Sequence, residues 1–317
     1  MEMNTNKTIM NRTRYAHPLI ALVGGILIVT IPFQACQEEK YSLGNIQTPD
    51  FEVQTGEDAN TLIFVNKTPG TSIAYWETST GQKFKGDNVS ARFTFEGQYD
   101  ITLLAVTPGG TASTTKQVSI AQSDPTACSP NRALGFIAGC TERAWKLNPD
   151  AGTYKVGPNP DDGSWWQNTA GDVTSRACEF NDEYTFGFNA EGTFNYDNKG
   201  DFYADGYLGS QSDGCEPNSN LPAAQQAWGS GAFTFRVSEG DGARKLGKLT
   251  VSGVGAHIGL QKVHNGGETN TGPSWNSITY DILEMTQNAG GKGYDILKVG
   301  LDIGGGTWWT FTLRAPN

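Results

Sequence analysis

The chain has little of what common enzyme and nucleic-acid motifs require. Three of its 317 residues are histidine. It contains no H-E-x-x-H run for a zinc-protease helix and no G-x-S-x-G run for a hydrolase nucleophile elbow. Gly253-Val-Gly255-Ala-His-Ile-Gly259 misses the dinucleotide fingerprint by one residue and lies between strand-like runs. Basic residues are scarce, 23 Lys and Arg against 33 Asp and Glu, so nothing is available to neutralise a phosphate backbone, and nucleic acid is excluded as an expected partner. Long amphipathic helical patterns are absent as well. The longest apolar run, Leu19 to Ile31, falls short of the roughly 20 residues of a membrane helix.

That run follows Lys7, Arg12 and Arg14 and has the length of a signal-peptide hydrophobic region. It ends in Ile31-Pro32-Phe33-Gln34-Ala35-Cys36. A small residue directly before cysteine resembles a bacterial lipoprotein cleavage site, with Phe33 where leucine is usual. The resemblance implies a signal peptide over 1–35, lipidation of Cys36 and a flexible tether over 36–49. A plain signal peptide and an uncleaved anchor are the alternatives. Gln37-Glu38-Glu39-Lys40 resembles the surface-export signal of Bacteroidetes lipoproteins, which implies an outer-membrane protein facing the cell exterior and touching the membrane through its lipid alone. Cleavage before Cys36 removes three basic residues and one acidic residue and leaves a net charge of −12. An uncharged partner suits that balance better than a polyanion.

The four remaining cysteines, Cys128, Cys140, Cys178 and Cys215, are an even number, as expected in an oxidising compartment. Cys128–Cys140 and Cys178–Cys215 each close a local loop and are the favoured pairs among three pairings. Metal binding is the weaker reading, since no C-x-x-C occurs and only His257 and His264 remain.

Short alternating runs recur between Gly, Asn, Asp and Pro clusters, the pattern of an all-β protein. Strands are expected at 61–65, 72–76, 91–95, 99–106 and 113–120 in a first unit spanning 50–121. Phe93 and Phe95 should face its core. Phe95-Glu-Gly97-Gln-Tyr99-Asp-Ile101-Thr-Leu103 resembles the most recognisable strand of PKD domains, which implies an immunoglobulin-like sandwich with Tyr99 as a corner tyrosine. Residues 122–127 read as a linker. In a second unit spanning 128–317, strands are expected at 184–188, 193–196, 231–237, 248–253, 277–285, 294–303 and 308–314, with a helical turn at 221–228. Leu297, Val299, Leu301 and Ile303 alternate with Lys298 and Asp302, which suits a jelly-roll-like β-sandwich with one buried face.

Seven of eight tryptophans lie in this second unit. Trp165, Trp166, Trp228 and Trp275 stand beside Gly- and Pro-rich loops, and Trp308 shares a strand face with Thr310 and Thr312. Indoles placed this way suit sugar binding, because the C–H face of a pyranose packs on an aromatic ring while its hydroxyls need polar neighbours. Asp161, Asp162, Arg176, Asn265, Glu268 and Asn270 are the polar residues nearest in sequence. Trp145 and Trp309 read as core, the latter in phase with Phe311 and Leu313. Of Trp165 and Trp166, at least one should point inward. A glycosidase needs two carboxyl groups flanking the scissile bond. The nearest run, Glu179-Phe-Asn-Asp182-Glu183, lacks the spacing of laminarinase-type enzymes. Arg176, Asp182 and Glu183 read instead as a polar network or a structural calcium site; no other cofactor is implied.

The second unit also carries a wider resemblance. Trp145-Lys-Leu, Val156-Gly-Pro158, Trp165-Trp166, Arg176-Ala-Cys178-Glu-Phe-Asn-Asp182-Glu183-Tyr-Thr-Phe186, Gly255-Ala-His-Ile-Gly259-Leu and Asn265-Gly-Gly-Glu268 together resemble a sandwich module of flavobacterial polysaccharide-utilisation proteins. With lipid anchor and PKD-like spacer, the arrangement resembles surface glycan-binding proteins. This implies a non-catalytic binder of polysaccharide, with β-glucan such as laminarin as the first candidate. It also implies an outer-membrane import pore and its companion binding lipoprotein as partners. A surface adhesion or structural protein, and a glycoside hydrolase, are the alternatives.

Overall fold

A computed structural model describes residues 44–208 and 213–317. The signal peptide, Cys36 and most of the expected tether lie outside the described residues. Among the described residues, no helix is long and apolar enough to cross a membrane.

Residues 51–120 form a two-layer antiparallel sandwich. Strands β1 (Phe51–Thr55), β2 (Thr61–Asn66), β3 (Ile73–Thr78), β4 (Lys83–Lys85), β5 (Asn88–Arg92), β6 (Gly97–Thr107) and β7 (Gly110–Ile120) divide into sheets ordered β1-β2-β5 and β4-β3-β6-β7. Alternate residues of each sheet point between the layers. Phe51 and Phe64 meet Trp76 there, with ring centroids 5.3 and 5.5 Å away. The Tyr99 hydroxyl donates to the Phe95 carbonyl at 2.7 Å, so the corner tyrosine is present. The expected 91–95 strand instead runs from Asn88 to Arg92. Beyond it Phe93 turns into the core, while half-buried Phe95 meets Phe188 of the second unit edge-on at 5.1 Å.

The 122–127 segment is packed between the units. Asp124, whose side chain is 2% exposed, accepts from Arg92 Nη2 at 2.7 Å, from Arg132 Nη1 at 3.0 Å and from the Thr126 hydroxyl at 2.7 Å. Burial opposes ionisation of this carboxyl. The bonds from Thr126, Arg92 and Arg132 outweigh it and hold the group well below the ordinary aspartate range. Residues 44–317 accordingly form one compact unit.

The rest of the chain is built on one long antiparallel meander. Its strands are β8 (Glu142–Leu147), β9 (Tyr154–Gly157), β10 (Trp166–Gln167), β11 (Glu183–Gly187), β12 (Thr193–Asp197), β13 (Asp201–Ala204), β14 (Gly214–Pro217), β15 (Gly231–Ser238), β16 (Lys248–Ser252), β17 (Val263–His264), β18 (Gly267–Glu268), β19 (Ser277–Thr286), β20 (Tyr294–Gly304) and β21 (Thr307–Pro316). Strands β8, β11, β12, β15, β16, β19, β20 and β21 pair in that order, and Leu313 and Arg314 of β21 return to Leu147 and Lys146 of β8. The all-β reading holds, and the expected sandwich takes the form of one sheet closed on itself. β13–β14 and β17–β18 are hairpins added outside that ring.

Inward residues of every ring strand share one core. Helix α1 (Ala133–Ala138) joins it, with Trp145 Nε1 donating to the Ile137 carbonyl at 2.8 Å. The segment after β16 joins it too: Ala256, Ile258 and Leu260 are buried there. Gly259 has φ +76°, and a Cβ at that position would lie 2.3 Å from the Phe311 ring, so only glycine fits. Cys128–Cys140 and Cys178–Cys215 are both bonded, as expected.

Candidate functional site

The strand register brings two indoles together. Trp166 of β10 sits opposite Val156 of β9, and Val156 sits opposite Trp309 of β21. Three residues in one row across adjacent strands share a face, and the rings of Trp166 and Trp309 lie 6.1 Å apart. Val156 is followed by Gly157, where a Cβ would lie 2.7 Å from the Asp162 carbonyl oxygen. Glycine there lets the 157–164 loop fold tightly back onto β9 and deliver the two adjacent tryptophans. Trp165 is 56% exposed and Trp166 40%. The expectation that one of them packs inward is corrected: both indoles are largely exposed, Trp166 on a two-residue strand at the end of the sheet and Trp165 just before it.

Trp166 and Trp309 open onto a cleft of about 290 Å³ whose other walls are Tyr154, Arg176, Asp205, Leu260 and Lys262. Arg176 ends helix α2 (Ala170–Ser175) and precedes α3 (Ala177–Phe180). Its guanidinium binds Asp205 at 2.5 Å and Glu179 at 3.1 Å and lies over the Tyr203 ring at 4.2 Å. The Cys178–Cys215 bond ties α3 to β14, whose partner strand β13 carries Tyr203. On the opposite wall Lys262 bonds Glu268 at 2.8 Å and lies over the rings of Trp309 at 5.6 Å and Tyr207 at 5.3 Å. The other Glu268 oxygen accepts from Trp309 Nε1 at 2.8 Å. The cleft therefore presents aromatic faces between two complete ion pairs.

Behind it lies a buried titratable layer. Burial pushes Glu179 up to about 7 despite the neighbouring Arg176 charge, which it helps keep protonated above its usual range. Asp182, also raised by burial, accepts from the Tyr196 hydroxyl at 2.7 Å. His257 is pushed down to about 4 by burial; its Nδ1 lies 2.8 Å from the Gly255 carbonyl oxygen, and its Nε2 has no hydrogen-bond partner.

Of the residues singled out in the sequence, Trp166, Arg176 and Glu268 meet at this cleft, with Trp165 exposed beside it. The others are elsewhere. Trp228 is 1% exposed and packs with Phe202, Leu208 and Leu221, so a surface platform role is corrected to core. Asp161 is taken up by Lys155 at 2.8 Å and Lys298 at 2.9 Å. Its amide donates to Thr310 on the outer face of β21, so the 157–164 loop folds over the face that half-buried Trp308 shares. Asn265 exchanges two hydrogen bonds with the Thr279 backbone, and Trp275 stacks on His264 at 4.1 Å. Arg176, Asp182 and Glu183 do not form one network: Glu183 pairs with Lys199 and Lys146. Among the described residues, no group of three or more His, Cys, Asp or Glu side chains is suited to a metal ion.

Trp309, Lys262, Asp205 and Tyr154 were not singled out as site residues. Alternation put Trp309 inward, which is correct, yet the inner face emerges at this end of β21 and the same indole becomes a cleft wall. A larger cleft, about 360 Å³, lies at the joint between the units. Its Arg92 is committed to Asp58 and Asp124, and none of its lining residues is tryptophan. The smaller cleft has the chemistry.

No protein-family model matches the chain, and no curated protein is significantly similar to it. Among solved structures the chain is similar to the PKD1 domain of Vibrio anguillarum Epp at 23% identity, spanning 24% of this chain and 94% of that domain with a TM-score of 0.22. It is also similar to the PKD1 domain of the Vibrio cholerae metalloprotease PrtV at 16% identity, over 24% of this chain and 98% of that one, again with a TM-score of 0.22.

Proposed function

We propose that this chain is a non-catalytic, lipid-anchored surface protein that captures a polysaccharide for a glycan-import system, with a β-1,3-glucan such as laminarin as its first candidate. The observation that carries the reading is exposed Trp166 standing over Trp309 between the Arg176–Asp205 and Lys262–Glu268 pairs. A sugar ring lays its apolar C–H face on an indole while its hydroxyls donate to carboxylate oxygens at the rim. Asp205 and Glu268 are each held by a cation, which suits accepting hydroxyls more than moving protons. Anchoring through Cys36 and partnership with an import pore rest on the sequence resemblance.

Glu179, with its raised titration next to the cleft, favours a glycoside hydrolase as second reading. Electrophoresis of the full-length chain through gels cast with laminarin, mixed-linkage glucan, xylan, mannan, alginate and starch separates the readings. Retardation with the polymer left intact is expected. New reducing ends would establish the enzyme, and no retardation in any gel would move the search to protein partners. In the retarding gel, Trp166→Ala should weaken binding by about 1–3 kcal/mol with the melting temperature unchanged.

A further inference from the structure

The hairpin that supplies Lys262 and Glu268 to the cleft also carries a second aromatic surface. Val263 is buried in the core. Lys262 and His264 flank it, two positions apart on extended chain, and so share the opposite face about 6–7 Å from each other. Lys262 roofs the cleft over Trp309 and Tyr207. His264 stacks on Trp275 with ring centroids 4.1 Å apart and planes within 21°. Both residues are half-buried. The His264 ring makes no side-chain hydrogen bond among the described residues, and Trp275 packs its buried Nε1, without a partner, against the core. Asn265, bonded twice to the Thr279 backbone, fixes the hairpin's turn beside them. Along this whole strip each charged side chain is already matched, Lys262 with Glu268 and Arg176 with Asp205 and Glu179.

We infer that the His264–Trp275 pair is a second subsite continuing the cleft, so that the occupant is an uncharged glycan chain of several units lying across the β17–β18 hairpin. This rests on the glycan-binding reading above. A step of two residues along the hairpin is of the order of one sugar ring, so a chain seated on Trp166 and Trp309 passes Lys262 and Tyr207 before reaching Trp275. The free imidazole nitrogens then meet hydroxyls. An acidic polysaccharide would find no unmatched cation on the strip and would face the carboxylates of Glu268 and Asp205.

The test uses the full-length chain with β-1,3-linked glucose oligomers of two, four and six units, and with alginate oligomers of six. Affinity should rise about tenfold from dimer to hexamer, with the alginate hexamer not bound. His264→Ala should bring the hexamer-to-dimer ratio close to one with the melting temperature unchanged. Trp275→Phe, which keeps an aromatic ring in the half-buried position, should lower the same ratio and serves if His264→Ala disturbs the hairpin. Trp166→Ala should weaken every length. Equal affinity for dimer and hexamer, a ratio unmoved in both subsite variants, or alginate bound as tightly as glucan would overturn the inference while leaving the cleft a glycan site. Failure of every glucose oligomer to bind would overturn the glycan reading, and the second subsite with it.

Discussion

The His257 imidazole has one nitrogen at the Gly255 carbonyl and the other without a partner, and burial holds its titration near 4. Above pH 6.5 the ring is neutral both folded and unfolded, so it adds no pH dependence there. As pH falls from 6.5 towards 4 the unfolded chain takes up a proton that the folded chain refuses, and stability drops by up to roughly 3 kcal/mol. Glu179 acts with the opposite sign. Its folded form keeps a proton up to about 7, against 4.5 when free, so its contribution is full below 4.5 and is lost as pH rises to 7. Chemical denaturation between pH 4.5 and 8 should therefore show His257→Gln moving the pH of maximum stability downwards and Glu179→Gln moving it upwards. Single residues were unevenly legible. Trp166 stood out because a Gly- and Pro-rich loop cannot bury two indoles. Lys262 and Asp205 carried no signal, since their meaning comes from facing Trp309 and Arg176 across the fold.

The elements that build the cleft walls are short, and covalent ties hold them. Helix α3 has four residues and β14 has four, too few to hold position by their own hydrogen bonds. Cys178–Cys215 bridges them across 37 residues, a closure worth about 4 kcal/mol in the chain-entropy picture. Replacing both cysteines by serine should lower stability by up to that amount. It should also loosen Asp205 from Arg176, so glycan affinity measured at 10 °C, well below the unfolding transition, should fall as well. At this scale the sequence was readable wherever alternation was strong, as in β20, where Leu297, Val299 and Leu301 are all buried. In the first unit β1 and β4 were missed, β4 because three residues show no period, and in the second β8, β9, β10, β13, β14, β17 and β18 were missed. β5 was misplaced by three residues because Phe93 and Phe95 continue its apolar pattern. The chain leaves the sheet there instead, with Phe93 N donating to Asn60 O inside the sandwich and Thr94 O accepting from Asp124 N at the joint.

On the scale of the whole molecule, the expected linker is a clasp. Asp124 holds Arg92 of the sandwich and Arg132 of the following unit with one buried carboxylate. Removing it takes a shared partner from two part-exposed guanidinium groups, which keep Asp58 and Glu239, a loss of about 1–3 kcal/mol. Calorimetry should show the 44–317 body melting in one transition and Asp124→Ala splitting it into two, because each unit keeps its own apolar core. The ring of eight strands was not legible at all. Its closure depends on Leu147 and Lys146 meeting Leu313 and Arg314, residues separated by most of the second unit, and no local pattern records such a meeting. That closure has one more outcome. A sheet that ends offers a row of unpaired amides and carbonyls on which a foreign strand can grow, the first step of domain exchange and amyloid. Here the outermost strand of the branched β9–β10 flank is β10, two residues long and capped by bulky Trp166. The closed ring thus leaves a foreign strand little to grow on, and the long open edge of the described residues lies instead in the first unit, at β7.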